Sequence, residues 1–383
     1  MEALQAEKVA EVNAPLVYDK IPLRNVWLLF LYASGLAQFQ GRFEAEIEES
    51  PDFKSLVARL LCYATEKRLR RNLSFGYQRR CDVLRRVRGR IDILESVSRD
   101  LFRRGEVACR FDDLTLDTPR NRLVFAALER LSSCLEDTAL AHRCRTLVHA
   151  LGRAGVSSII PSRNEIAADQ IARHEGDDRL MVSLAKAVFD IVLPTEQEGI
   201  RTMLKAQRDE TEFRKLFEKA VGNFFAAELK REDGWHVFPG KKFSWPVASG
   251  SPGISSYLPK MITDIILENV QEERRVIIDT KFTDVLTVSQ YGGERFKTGH
   301  IYQLYAYLRS QERTDDPMSL CSDGLLLYPS IGVEVDETAL IQNHRIRFVT
   351  IDLAQPSAEV VEKLRAIPVL SSSFLPDSNN ERH

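Results

Sequence analysis

Asp264, Asp279 and Lys281 are residues whose types and spacing suit one kind of chemistry. In the stretch MITDIILENVQEERRVIIDTKF, Asp264 falls within one strand pattern and Asp279 and Lys281 within the next, joined by a polar turn short enough for a hairpin. Side chains alternate across a strand, so Asp279 and Lys281 are expected on one side, facing Asp264, with Thr280 pointing away. Two carboxylates are hard oxygen ligands that suit Mg²⁺, with Mn²⁺ the alternative; such a cation takes one or two carboxylates and fills its other positions with waters and phosphate oxygens. A lysine ammonium beside them can hold an attacking water and offset charge growing on phosphorus oxygens. The set points to metal-dependent hydrolysis of a phosphodiester.

A carboxylate and a lysine two apart on a strand are common, usually as an exposed ion pair worth about 0–1 kcal/mol. Here Asp279 follows the apolar run at 276–278, near the end of a buried strand, where an unpaired carboxylate is costly unless it meets a metal or a cation. In GHIYQLYAYLRS, Gln303 and Tyr307 are one helical turn apart and share a face, so both are expected to support the lysine site or touch a phosphate. The competing reading makes Gln303 polar surface beside a core of Tyr302, Leu304, Tyr305 and Leu308. Glu218 is a further carboxylate for the metal if its helix packs on the sheet, against the default of an exposed helix glutamate.

Other chemistries lack support. No GxxxxGK[ST] stretch occurs, so nucleotide binding through a P-loop is not expected of this chain. The seven histidines are isolated and none falls in an HExxH or triad context. Six cysteines are scattered without CxxC pairs, which argues against a disulfide framework or zinc site. The first 20 residues lack the basic start and apolar run of a secretory signal, and no apolar stretch reaches the roughly 18 residues of a membrane span. A cytoplasmic protein is the expectation.

The elements that must position the site follow from periodicity. At 383 residues, 44% hydrophobic and 28% charged, the chain fits two folded domains. Helices are expected at 21–35, 53–71 and 121–135, with short strands between 79 and 118, further helices to about 193, and a loop around 157–164. The second half begins with a long helix at 203–231, then strands at 235–243, 261–268 and 275–282, a helix at about 300–309, and strands at 325–328 and 346–351. The fold class is α+β or α/β: a mixed domain of helices and short strands at 17–200, then a second domain at 201–376 with a central mixed sheet flanked by helices.

The net charge of −2 hides a basic cluster between Lys54 and Arg90. Arg68, Arg70, Arg71, Arg79 and Arg80 are its candidates for holding a phosphate backbone without reading sequence. A solvated helix face with acidic partners elsewhere is the alternative.

The segments LPKMITDIIL (258–267), VIIDTKF (276–282) and IYQLYAYL (301–308) together resemble the PD-(D/E)xK nuclease superfamily, in the branch with a QxxxY helix. More narrowly they are similar to the McrC family, the nuclease subunits of McrBC modification-dependent restriction systems. IPLRNVWLLFLYASG, RGRID (88–92) and FDDLTLDTPRNR (111–122) resemble that family's segments in the same order. The resemblance implies a restriction-endonuclease-like second domain, with Asp264 and Asp279 as metal ligands, Lys281 as the catalytic lysine, and Gln303 and Tyr307 in support. Glu218 matches no family motif. It also implies partners: an McrB-like AAA+ GTPase ring that binds the GTP and engages the N-terminal domain, double-stranded DNA carrying modified cytosine, and self-association within the complex. Two other readings stay open, an interaction subunit that mainly activates the GTPase and a stand-alone DNase.

Overall fold

The computed structural model describes residues 20–169, 171, 176–192, 203–288 and 293–368. The chain forms two compact units, one of residues 43–197 and one that joins residues 1–42 to 198–383. It is a mixed α and β protein, as the periodicity predicts. Among the described residues no helix is long and apolar enough to cross a membrane.

In the unit 43–197, strand β1 (Gly76–Leu84) pairs antiparallel with β3 (Val107–Thr115), which also pairs with the short β2 (Arg90–Ile91). Gly89 precedes β2 at φ 69°, and a Cβ there would stand 2.5 Å from the Arg110 carbonyl oxygen, so the turn accepts only glycine. The sequence ILESVS, expected as strand, is the helix Ile93–Ser98. Asp92 caps it by accepting from the Glu95 N–H at 3.1 Å, and this side-chain bond outweighs the β-branched residues. Helices Phe53–Arg70, Pro119–Cys134, Thr138–Arg153 and Gly176–Ala187 supply the rest of the core. The segment DTPRN earns its helix start physically: Thr118 caps the Asn121 N–H and Pro119 occupies the first turn.

A buried charge network ties these helices together. Arg68 and Arg120 both face Asp178, whose side chain is 0% exposed, with Arg68 Nε 2.5 Å from Oδ1 and Arg120 Nη1 3.6 Å from Oδ2. Arg120 also grips Asp169 through its Nε and Nη2, and Ser74 donates to Asp178. The Arg68 contact is an ion pair without an aligned hydrogen bond between Nε and Oδ1.

The other unit is built on a six-stranded mixed sheet. Its strands are β4 (Trp235–Pro239), β7 (Ile265–Asn269), β8 (Arg274–Thr280), β11 (Asp323–Ser330), β12 (Asp336–Ile341) and β13 (His344–Asp352), in spatial order β12-β13-β11-β8-β7-β4. The pairs β13/β11 and β11/β8 are parallel and the others antiparallel. Short strands β5 (Lys242–Phe243) and β6 (Met261–Ile262) form one ribbon, β9 (Leu286–Val288) and β10 (Glu294–Phe296) another. Helix Thr298–Ser310 packs Leu304 and Leu308 onto Ile277, Leu326 and Tyr328. A Cβ on Gly324 would lie 2.9 Å from Leu304, so this glycine lets the helix sit close to the sheet.

Helix Leu23–Ala33, expected in the first domain, belongs to the sheet unit. It packs on the long helix Met203–Glu228, with Tyr32 edge-on to Phe224 at 5.0 Å. Asn25 Nδ2 donates to the carbonyls of Leu353 and Gln355 at 2.8 and 2.7 Å, tying this helix to the end of β13. Nearly every residue of the helix is buried, which explains its apolar composition on all sides.

Candidate functional site

The hairpin β7–β8 sets the site. Its register pairs Ile265 with Ile278, and continuing it by one position brings Asp264 opposite Asp279. The apolar runs IIL and VII bury both strands at the middle of the sheet, so the two carboxylates stand where the covered strands end. Asp264 lies in the break between β6 and β7, where its carbonyl accepts from the Gly240 N–H at 2.8 Å.

Asp279 is 1% exposed, and its Oδ2 is 2.7 Å from Lys281 Nζ. The ammonium is the close partner of that oxygen, and its charge opposes the burial that raises the Asp279 carboxyl. Lys281 Nζ donates to Gln303 Oε1 at 2.9 Å; Gln303 Nε2 reaches Tyr307 Oη at 2.9 Å and Asp279 Oδ1 at 3.4 Å. Tyr307 in turn donates to the Ile262 carbonyl at 2.9 Å, two residues before Asp264. Gln303 and Tyr307 thus join the lysine to the strand that carries the other carboxylate. Gln303 is exposed, as the surface reading has it, and is bonded to Lys281 and Tyr307 as well, while Tyr302 is 69% exposed and not core.

Thr280 does not face away from the site. Its N–H and its hydroxyl both donate to Asp264 Oδ2, each at 2.7 Å. The alternation argument fails because β8 ends at Thr280 and Asp264 sits outside β7, reaching across the end of the hairpin. If Asp264 works in the reaction, Thr280→Val lowers turnover about tenfold, the worth of one hydrogen bond to a charged group. Steady-state rates beside the wild type check this, and an unchanged rate contradicts it.

The electrostatics bind Glu218 to the same place. Burial pushes its carboxyl up from the usual range, and the charge of Asp264 adds to that. Burial likewise pushes Asp279 up to about 6, with Lys281 opposing and Asp264 and Glu218 reinforcing. Three carboxylates therefore share one field with one ammonium. Among the described residues no three His, Cys, Asp or Glu side chains stand close enough to form a metal cage by themselves.

The basic cluster divides. Arg68 turns inward to Asp178, and Arg71 lies 3.9 Å from Asp177. Arg70 is exposed, Arg80 is 3.6 Å from Asp113, and the side chain of Arg79 lies outside the described residues. The network around Asp178 has no local sequence signal, since Arg68 stands 110 residues from it.

The fold and site belong to a mixed α and β protein with an acidic, lysine-bearing cluster at the end of its central strands. The family model described as McrBC 5-methylcytosine restriction system component matches residues 17–329, and the chain belongs to that family. The chain is 24% identical over 341 residues to the type IV methyl-directed restriction enzyme EcoKMcrBC of Escherichia coli (strain K12), covering 88% of this chain and 93% of that protein. It is similar to a chain of the refined half-complex from the tetradecameric assembly of Thermococcus gammatolerans McrB AAA+ hexamers with bound McrC. That match has a TM-score of 0.49 and 14% identity and covers 91% of this chain and 76% of the other. A cryo-EM structure of the Thermococcus gammatolerans McrBC complex matches at a TM-score of 0.36 and 15% identity, over 55% of this chain and 59% of that one.

Proposed function

We propose that this restriction-system component is the nuclease subunit of a GTP-dependent, modification-directed DNA restriction complex, and that its sheet unit is a PD-(D/E)xK restriction-endonuclease-like domain. The observation that carries the reading is the convergence of Asp264, Asp279, Lys281 and Gln303 at the end of one hairpin. Asp264 and Asp279 would hold a divalent cation. The donor set fits Mg²⁺, or Mn²⁺ in its place, because the buried Asp279 carboxylate and a second carboxylate opposite it supply hard oxygen ligands. When bound, the cation supplies Lewis-acid activation of water and screening of the phosphate charge.

The chain's own residues do the rest. Lys281, fixed between Asp279 and Gln303, orients the attacking water and meets the negative charge that grows on the phosphate. Thr280 holds Asp264 in register. Glu218 adds a carboxylate at the edge of the site and serves to position water. In the other unit, exposed Arg70, Arg71 and Arg80 are contacts for the DNA backbone. Arg68 is withdrawn from that role, since its guanidinium is committed to buried Asp178.

A McrB-like AAA+ GTPase ring is the proposed partner, carrying the GTP and engaging the unit 43–197. That unit exposes Tyr77 at 81%, Leu94 at 84%, and Phe75, Ile93, Val97 and Phe102 at more than half, large apolar side chains on its surface that a partner would bury. The same surface favours the second reading, an interaction subunit whose main work is to activate the GTPase. The test is cleavage of methylated against unmodified DNA by the chain with its partner, GTP and Mg²⁺. Cleavage that needs all three supports the proposal. Cleavage by the chain alone supports a stand-alone DNase, and GTPase stimulation without cleavage supports the second reading.

A further inference from the structure

We infer that His300 is a DNA-positioning residue: locked by the buried hydroxyl of Tyr328, its imidazole donates one hydrogen bond to a phosphate oxygen beside the bond that is cut. This rests on the nuclease reading of the neighbouring cluster. His300 stands on the first turn of helix Thr298–Ser310, and positions 300, 303 and 307 fall on one helical face, so His300 extends the row of Gln303 and Tyr307. Tyr328 lies on β11 two places beyond Leu326, which pairs with Asp279, and packs under the same helix.

Tyr328 is 0% exposed, and its hydroxyl is 3.0 Å from His300 Nδ1. A buried phenol must place its proton. If Nδ1–H donated to the tyrosine oxygen, the phenolic proton would need another acceptor; if the phenol donates to Nδ1, both groups are satisfied. That choice puts the ring proton on Nε2. Burial, then the nearby Lys281 and Lys297, hold the His300 imidazole down at about 4, which agrees with a neutral ring. His300 is half-buried, and its Nε2–H lies in the field of the Lys281 and Lys297 ammonium groups. All three are donors, and a ligand made only of acceptors, an oxyanion such as a DNA phosphate, matches them.

The experiment measures DNA affinity of the complex with its partner as a function of salt, without divalent metal, beside cleavage rates with Mg²⁺. His300→Ala weakens binding about tenfold, the effect of losing one hydrogen bond to a charged group. The slope of log affinity against log salt stays at the wild-type value, because a neutral donor releases no counterion. Tyr328→Phe, which keeps volume and loses only the hydroxyl, weakens binding in the same direction, and His300→Gln, which keeps a donor at similar reach, recovers part of the loss. Wild-type affinity in His300→Ala overturns the inference. So does a slope reduced by about one, which marks an imidazolium contact, or full affinity in Tyr328→Phe. A wild-type complex that neither binds nor cuts DNA overturns the nuclease reading instead.

Discussion

Lys281→Met lowers DNA cleavage by the partner-bound complex about a thousandfold, while DNA affinity changes less than tenfold. Methionine keeps the length and apolar stem of the side chain and removes the ammonium. In the wild type that ammonium lies 2.7 Å from Asp279 Oδ2 and 2.9 Å from Gln303 Oε1, so its position is set before substrate arrives. On the proposed mechanism, a group fixed in advance beside buried carboxylates stabilises charge that appears only as the phosphate is attacked. Its loss therefore falls on turnover more than on binding. Single-turnover rates and binding curves measured together check this, and a variant that cuts within tenfold of wild type removes the lysine from the mechanism.

The second large effect is on folding. Asp178→Ala leaves Arg68 and Arg120 facing each other's charge without the carboxylate between them, in a place where that carboxylate is 0% exposed. Removing one member of a buried ion network costs about 3–5 kcal/mol, because the remaining charges are desolvated and unpaired. For a unit of this size that corresponds to a fall of roughly 10 °C in its melting temperature. Arg120 keeps Asp169 as a partner, bonded through Nε and Nη2, which places the effect at the lower end of the range. Calorimetry of the variant against wild type decides the point, and a transition shifted by under 2 °C contradicts it.

What could be read from the residues in order was what lies close along the chain. The Asp264–Asp279 pairing was legible because two apolar runs flank a polar turn, and a hairpin fixes its register locally. The place of Thr280 was not, since strand alternation was carried one residue past the end of β8. Gln303 and Tyr307 shared a helical face in sequence, but only packing of Leu304 and Leu308 on the sheet brings that face to the lysine. The inward turn of Arg68 depends on Asp178, 110 residues away, and the siting of helix Leu23–Ala33 depends on carbonyls near residue 353. Helix Ile93–Ser98 did carry a local signal, an Asp with Glu three residues later, which the apolar and β-branched residues of the segment obscured. Helix Ser357–Ala366 also had helical spacing in Val360, Val361 and Leu364, on a segment short enough to pass unmarked.

On the proposed function, the cluster at the end of the β7–β8 hairpin cuts DNA within a larger assembly. The most direct measurement compares wild type with Asp279→Ala, each bound to the proposed AAA+ GTPase partner, on methylated DNA with GTP and Mg²⁺, recording strand cleavage and GTP turnover in the same reaction. The expected result is that wild type cleaves, Asp279→Ala does not, and both raise GTP turnover equally. Cleavage by Asp279→Ala at the wild-type rate would contradict the account.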